Sequence, residues 1–265
     1  MRRIALLIEY DGAGYGGSQY QVNAPSIQER LEEAIHRLTG ERVRVAFAGR
    51  TDAGVHALGQ VAAFTTGARH PLDVVVRGLN ALLPEDIAVR DAVAAGETFD
   101  PRRDARARRY RYTIWNAAVR SPLVRRTAWH VRQTLDDGSM AREAGTLLGL
   151  HDLASFGAAL PEGRSAVRHV WAADVRRDGP RVLVDMEATA FLPHQVRRTV
   201  GALVQIGCGR LPPGSFAAWL ADPRAGTAGP AAPPHGLCLL RVTYDNLPGF
   251  TGAEPRRRMD PDEDL

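Results

Sequence analysis

A short polar loop places a carboxylate beside an arginine, between two apolar segments. Residues 48–57 read AGRTDAGVHA, and the flanking segments 43–48 and 60–65 are rich in apolar side chains. An aspartate on such glycine-flanked backbone can act as a nucleophile, a general base or a metal ligand. The alternative is a turn aspartate that accepts backbone N–H groups. The loop alone leaves both interpretations of Asp52 open.

A second glycine-rich segment has the form of a nucleotide-binding motif. Residues 12–17 read GAGYGG, which matches G-x-G-x-x-G, and they follow an apolar segment typical of a strand. Dinucleotide binding requires a helix to begin directly after the glycines, so that its N-terminus meets the pyrophosphate. Here residues 23–25 delay the helix until Ser26. We therefore interpret the segment as a glycine-rich loop beside a site.

The basic residues are all arginine. The sequence has 34 Lys+Arg positions and no lysine, which we attribute to coding bias, and its formal net charge is +4. The absence of lysine excludes the P-loop lysine, Schiff-base chemistry and the Ser-x-x-Lys nucleophile pair. Arginine binds phosphate in a bidentate manner and stacks on bases.

Ten arginines fall within residues 101–132, against the single acid Asp104. Tyr110, Tyr112 and Trp115 are interleaved with them. Guanidinium groups hold phosphates while aromatic rings stack on bases, so this mixture favours nucleic-acid binding over a plain solvated basic face. The arginines are Arg102, Arg103, Arg106, Arg108, Arg109, Arg111, Arg120, Arg125, Arg126 and Arg132.

Nothing in the sequence has the spacing of a metal site, a secretion signal or a membrane span. Cys208 and Cys238 are isolated, and the eight histidines form no metal-ligand cluster. No apolar run is long enough to cross a bilayer. We therefore expect a cytoplasmic protein with no metal, no cofactor and no membrane contact.

The periodicity of apolar residues predicts an α+β fold. Strands are expected over residues 4–10, 43–48, 60–65 and 87–93, with helices beginning at Ser26 and Pro71. This strand–helix–strand–strand–helix–strand order is typical of a split βαβ unit. The second half repeats the theme, with strands over 109–115, 166–176, 181–190 and 236–244 and helices over 139–150, 194–206 and 215–220. We expect halves at residues 1–100 and 101–247 and a frayed tail at 248–265.

Several ordered segments together resemble one family. They are residues 9–12 (EYDG), 26–29 (SIQE), 48–57, 80–84 (NALLP), 107–112 (ARRYRY), 196–197 (VR) and 233–237 (PPHGL). Their order and spacing resemble the tRNA pseudouridine synthase A family over most of the chain. The resemblance implies a large antiparallel sheet made from two similar ferredoxin-like, split-βαβ halves flanked by helices, with the active cleft between the halves.

The resemblance also implies an activity. It indicates an isomerase that converts uridine to pseudouridine at positions 38, 39 and 40 of the tRNA anticodon stem-loop, without a cofactor or a metal. It implies a homodimer that binds tRNA across both subunits.

Each site residue is predicted by its match to a family motif. Asp52 matches the catalytic aspartate nucleophile, Arg197 the arginine that pairs with it, and Tyr110 the tyrosine that stacks on the target base. Arg50 resembles a loop arginine that contacts RNA, and Leu237 resembles an apolar wall of the uracil pocket. Arg109 and Arg111, on either side of Tyr110, are also expected to bind the substrate.

The chain departs from the family pattern at three positions. Residues 15–19 read YGGSQ, so Gly16 and Ser18 stand where the family usually has an aromatic residue and a tryptophan, and Pro193 stands where histidine is common. We expect these changes to affect packing and tRNA binding more than catalysis. The alternatives to a synthase are a non-catalytic RNA-binding protein, and a nucleosidase-like hydrolase that would leave the arginine-rich segment without a role.

Overall fold

The computed structural model describes residues 1–245, 247 and 250 of the chain. Apart from Phe250, the predicted tail over residues 248–265 lies outside the described residues. No helix in the described part is both long enough and apolar enough to cross a membrane.

The first half is a split βαβ unit, as predicted. Its elements are β1 (Arg2–Tyr10), α1 (Ile27–Thr39), β2 (Ala46–Phe47), β3 (His56–Thr66), α2 (Leu72–Leu82) and β4 (Ile87–Ala95). The strands lie in the order β4-β1-β3-β2, and every neighbouring pair is antiparallel. Helix α1 begins where the sequence predicted, because the Ser26 Oγ accepts a hydrogen bond from the Glu29 backbone N–H at 3.2 Å.

The second half repeats this arrangement and extends it. Its elements are β5 (Ala105–Asn116), β6 (Trp129–Val131), α3 (Asp137–Gly145), β7 (Gly149–Asp152), β8 (Val167–Asp178), β9 (Arg181–Ala188), α4 (Gln195–Gly207), α5 (Ser215–Ala221) and β10 (Leu237–Tyr244). Four of its strands lie in the order β10-β5-β9-β8, the counterpart of β4-β1-β3-β2, and β7 adds an edge. The predicted α+β class with two similar halves is confirmed.

The two halves share one sheet. Strand β10 pairs with β3 in parallel through Cys238↔His56 and Leu239↔Ala57, whereas the pairs within each half are antiparallel except for β5 with β6. The sheet is therefore mixed at this junction. Because β3 begins directly after the loop that carries Asp52, the junction places that loop beside residues of the second half.

The two faces of the sheet differ. Side chains alternate along β5, so that Tyr110 and Tyr112 are buried while Arg109 and Arg111 on the other face are partly exposed. Helix residues Ile35, Val75 and Leu79 pack against Ile4 and Phe64, on the same face as the two tyrosines. We call the opposite side, with Arg109 and Arg111, the open face, because no helix of the described residues packs on it.

Two local predictions were wrong, and one strand was missed. The predicted strand over 43–48 contains only two paired residues, Ala46–Phe47. The predicted helix over 139–150 ends at Gly145, and Gly149 with a φ of 102° begins strand β7 instead. Apolar spacing does not separate one turn of helix from a short edge strand, and only pairing with β8 decides it. Strand β6 was not predicted.

Candidate active site

A cavity of about 360 Å³ opens where the two halves meet. The first half contributes the loop with Asp52, and the second half contributes Tyr110 from β5, Arg197 from α4 and Leu237 at the start of β10. Even the two nearest of these residues in sequence, Arg197 and Leu237, are 40 positions apart. The sheet junction therefore brings together the four residues that the sequence analysis predicted for catalysis and for the uracil pocket.

Asp52 receives two hydrogen bonds on one oxygen. Its Oδ2 accepts from Nη1 of Arg197 at 2.7 Å and lies 2.9 Å from Nδ1 of His194. Among the described residues, Oδ1 has no hydrogen-bond partner. The side chain is 33 % exposed, at the wall of the cavity. One carboxylate oxygen is thus held by the protein, and the other is left without a partner in a side chain that lines the cavity.

The loop that carries Asp52 is anchored by buried polar groups. The Thr51 backbone N–H donates to Ser18 Oγ at 2.9 Å, and Thr51 Oγ1 lies 2.8 Å from the Tyr10 hydroxyl. Gln60 donates to the Gly49 carbonyl at 2.8 Å. Burial raises the pKa of Tyr10 to about 12, although its hydrogen bonds partly oppose this, so its hydroxyl remains protonated at neutral pH. These contacts hold the backbone on both sides of Arg50.

The backbone of the glycine-rich segment 12–17 packs against the Asp52 loop and supports it. Gly17 forms a bridge with Asp52 at a φ of 120°, and a Cβ at this position would lie 2.8 Å from the Thr51 carbonyl oxygen. A Cβ on Gly12 would lie 2.0 Å from the Val55 carbonyl oxygen. Glycine is therefore required for close backbone approach at both positions. This agrees with the prediction of a glycine-rich loop beside a site.

Arg197 is oriented from two sides. Its Nε donates to the Ala232 carbonyl at 2.8 Å while Nη1 reaches Asp52, and the Ala232 N–H donates back to the Arg197 carbonyl. The Arg197 side chain is 14 % exposed, so the loss of either partner would leave its guanidinium charge without a partner and largely shielded from water. A Cβ on Gly201 would lie 2.4 Å from the Pro230 carbonyl oxygen, and this glycine lets the segment bearing Ala232 lie against α4.

Tyr110 forms the floor of the cavity. The residue is 8 % exposed, and its ring meets Phe191 edge to face with centroids 5.2 Å apart. Burial raises the pKa of Tyr110 far above its usual value, so the phenol is neutral. Its hydroxyl has no hydrogen-bond partner among the described residues. A fixed, neutral ring at this place suits stacking on a planar base.

Leu237 lies on the wall of the same cavity and is 6 % exposed. The preceding turn fits closely against the sheet, because a Cβ on Gly236 would lie 2.5 Å from the Tyr112 ring. The Tyr112 hydroxyl donates to the Pro233 carbonyl at 2.7 Å. The sequence PPHGL therefore positions Leu237 through backbone contacts.

Arg50 and Arg102 lie at the rim. Both are exposed and line the cavity, and neither has an ion-pair partner among the described residues. They leave two cations at the entrance to the carboxylate. Arg50 was predicted as a site residue, whereas Arg102 was noted only as one of the ten arginines.

The structure places Arg109 and Arg111 away from this cavity, on the open face. Arg111 binds Asp185 through two hydrogen bonds of 2.7 and 2.8 Å, and Arg109 lies 3.5 Å from the same carboxylate. Burial alone would raise the pKa of Asp185, but Arg111 and Arg109 hold it below its usual value. Substrate binding by these two arginines stays a prediction, and it would require contact with the opposite face.

Arg108 is a structural residue that the sequence analysis did not recognise. It is 7 % exposed, and its guanidinium donates to four backbone carbonyls, those of Ala48, Arg102, Ala105 and Thr189, at 2.6–3.0 Å. It links the start of the Asp52 loop to the end of β9. The ten arginines are consequently not one basic surface.

His194 was also missed. It has a φ of 62°, the only positive value for a residue other than glycine in the described part of the chain. The available signal was its position three residues before Arg197, but no sequence pattern marks left-handed backbone at a histidine.

The three departures from the family pattern lie close to this site. Ser18 is buried and directly bonds the Asp52 loop, Pro193 lines the cavity, and Gly16 packs near Ala24. The expectation that these changes affect packing and tRNA binding more than catalysis stays a prediction. No group of three or more potential metal ligands occurs within the described residues.

Comparison with known proteins agrees with this geometry. A family model described as tRNA pseudouridine synthase matches residues 6–102 and 144–245, well over half of the chain. A protein of Myxococcus xanthus named tRNA pseudouridine synthase A is 48 % identical over 261 residues, covering 96 % of this chain and 98 % of the relative. Relatives of the same name from Geotalea uraniireducens and Geobacter sulfurreducens are 46 % and 48 % identical, each covering 92 % of this chain and 100 % of the relative. The chain therefore belongs to the tRNA pseudouridine synthase family.

Proposed function

We propose that this protein isomerises uridine to pseudouridine in the anticodon stem-loop of tRNA, at positions 38, 39 and 40. The observation that carries the proposal is the Asp52 carboxylate, whose Oδ2 is held by Arg197 and which lines the same cavity as Tyr110. Family membership supplies the substrate class, and the cavity supplies a place for a single base.

The reaction requires a carboxylate from the protein and a pocket that binds the base while it turns. The bond between C1′ and N1 of uridine breaks, the uracil turns, and a bond forms between C1′ and C5. N1 gains a proton and C5 loses one, so the product is an isomer. Attack of the carboxylate at C1′, attack at C6 and abstraction of the 2′ proton all begin from the Asp52 carboxylate, which is held by its ion pair with Arg197 at 2.7 Å.

The base must leave the stack to reach Asp52, which costs a few kcal/mol. Tyr110 would stack on the extruded uracil and Leu237 would contact its edge. Arg50, at the rim, would occupy space left in the RNA and hold the backbone together with Arg102. Guanidinium groups suit this role because they bind phosphate and stack on bases.

The test is release of tritium from C5 of the uridines in an unmodified tRNA transcript. We expect release by the unaltered protein, no release by Asp52→Asn, and normal release by Asp73→Asn. Asp73 is a matched control because its side chain is exposed and, among the described residues, forms its one ion pair with Arg77 on helix α2. Label release that persists in a folded Asp52→Asn protein refutes the assignment of Asp52.

The alternatives give different outcomes. Binding of tRNA without release of label would indicate a non-catalytic RNA-binding protein, and free uracil from nucleosides would indicate a hydrolase. Transcripts with cytidine in place of uridine at position 38, 39 or 40 locate the target. Undiminished release from a transcript lacking all three uridines contradicts the anticodon stem-loop.

We also propose that the protein acts in the cytoplasm as a homodimer. The family resemblance supports the dimer, and two exposed apolar side chains on the neighbouring strands β7 and β8 supply a surface, since Leu150 is 67 % and Trp171 is 41 % exposed. Sedimentation of the full chain should give twice the monomer mass, and Trp171→Arg should reduce it to the monomer. Sedimentation of the unaltered chain as a monomer contradicts the proposal.

A further inference from the structure

His194 lies against the same carboxylate oxygen as Arg197. Its Nδ1 is 2.9 Å from Asp52 Oδ2, and the imidazole is 42 % exposed at the cavity wall. An ionised carboxylate only accepts hydrogen bonds, so Nδ1 must carry the proton of this contact. Because Nδ1 is a donor here, its 3.4 Å approach to Nη1 of Arg197 results from two donors meeting at one oxygen.

The backbone of His194 is adapted to this contact. Its φ of 62° and ψ of 3° lie in the left-handed region, which is sterically unfavourable for residues with a Cβ. Surrounding bonds hold the turn in place: Gln195 Oε1 accepts from the Leu192 N–H at 2.8 Å, and the Arg198 N–H donates to the His194 carbonyl at 2.9 Å. The side chain itself makes no capping bond to α4. Its hydrogen bond within the described structure is the one to Asp52.

We infer that His194 is a positioning residue for the isomerisation: with Arg197 it fixes Oδ2 of Asp52, so that Oδ1 is the oxygen presented to the substrate. Arg197 alone leaves the carboxylate free to turn about the axis of its single hydrogen bond. A second donor from another direction stops this rotation. The inference rests on the proposed function, because it assigns a role to His194 in that reaction.

Two variants separate the hydrogen bond from the backbone. His194→Gly adopts the left-handed conformation without steric cost but removes the donor. His194→Asn also tolerates this conformation, and its side-chain amide can place an N–H where Nδ1 stands. Because both variants adopt the left-handed conformation without strain, a difference between their turnover rates measures the effect of the hydrogen-bond donor.

The experiment measures single-turnover release of C5 tritium from tRNA with enzyme in excess, and tRNA affinity separately. We expect His194→Gly to slow turnover roughly ten- to hundredfold, as expected for losing a hydrogen bond to a charged group. His194→Asn should recover the rate to within about threefold, and tRNA affinity should stay within about twofold in both, because this bond acts on Asp52 and leaves the RNA contacts intact.

Turnover by His194→Gly within about twofold of the unaltered protein overturns the inference. So does a His194→Asn protein as slow as His194→Gly, since the backbone and not the donor would then matter. Thermal melting of both variants establishes that they are folded. If the unaltered protein itself releases no label, the proposed function fails; if it turns over and the variants match it, only the role of His194 fails.

Discussion

Replacing Arg108 tests the division of the arginine-rich segment into structural and RNA-binding residues. Arg108→Met keeps most of the apolar stem but removes the donors to four carbonyls, of Ala48, Arg102, Ala105 and Thr189. A buried polar group left without its partner costs about 1–3 kcal/mol. Because four carbonyls lose their donor at once while the desolvation of the guanidinium is relieved, we expect a net loss of about 3 kcal/mol.

The assay is thermal unfolding together with the salt dependence of tRNA binding. For a chain of this length, each kcal/mol shifts the melting temperature by about 2–4 °C, so Arg108→Met should melt roughly 10 °C lower. The salt dependence of its tRNA binding should not change, because the Arg108 side chain is buried and its donors bind backbone carbonyls. Arg103→Met is the matched control: this neighbour is 87 % exposed, with only a 3.9 Å contact to Asp100, and its melting temperature should stay the same.

The opposite pattern refutes this interpretation of Arg108. A melting temperature within about 2 °C of the unaltered protein, with a salt slope smaller by about one, is the signature of a surface arginine that binds a phosphate. In that case the four carbonyl contacts contribute little, and the segment is one basic surface after all.

Three further perturbations test other parts of the site. Gly17→Ala would place a Cβ 2.8 Å from the Thr51 carbonyl oxygen at a φ of 120°. We therefore expect the rate of C5 tritium release to fall at least tenfold, while the affinity for tRNA in filter binding is retained. Unchanged turnover would show that the contact of Gly17 with the Asp52 loop is not needed. Arg50→Ala should reduce the slope of log affinity for tRNA against log salt concentration by about one. Arg42→Ala is the control and should leave this slope unchanged, because Arg42 is exposed beyond the far end of β3. Equal slopes for the two variants contradict an RNA contact by Arg50. The stability of the protein should fall above pH 10, because the pKa of Tyr10 is about 10 in the unfolded chain and about 12 in the folded protein. The stabilisation from this difference is complete below pH 10 and is lost as the pH rises towards 12. Melting temperatures measured across this range are compared with those of Tyr10→Phe. A fall of the same size in Tyr10→Phe would assign the effect to other groups.

The sequence was most informative where the determinants are local. Ser26 and Glu29 identify the start of α1, and Gly40 with a φ of 77° ends it, because capping depends on residues within one turn. The same holds for the split βαβ order of the first half. The loop with Asp52 was found by its composition, and its family match then selected Arg197, which no local pattern would have paired with it.

Strand alternation contained information that the residue predictions did not use. Residues at positions i and i+2 of a strand share a face, so Tyr110 cannot share its cavity with Arg109 or Arg111 in a regular strand. The alternating segment 109–115 was recognised, and the two arginines were still grouped with the tyrosine. Contacts between distant segments were inaccessible in another way: the carbonyls that Arg108 binds belong to residues 48, 102, 105 and 189, and no spacing relates them.

Several arginines have structural roles that the net charge of the protein does not show. Arg108 makes four hydrogen bonds from Nη1 and Nη2, one more than the three donors of a lysine ammonium would allow, and Arg197 directs Nε and Nη1 to two different partners. These guanidinium groups act as planar cross-links between backbone segments and carboxylates, work for which a point charge is poorly suited. An arginine count over 101–132 therefore overstates the charge available to RNA, because Arg108 is internal and Arg106, Arg109 and Arg111 already face acids. The arginines of this segment left to meet a phosphate include Arg102, which lies at the cavity rim beside Arg50, and the exposed Arg120, Arg125, Arg126 and Arg132, which form no ion pair within the described residues.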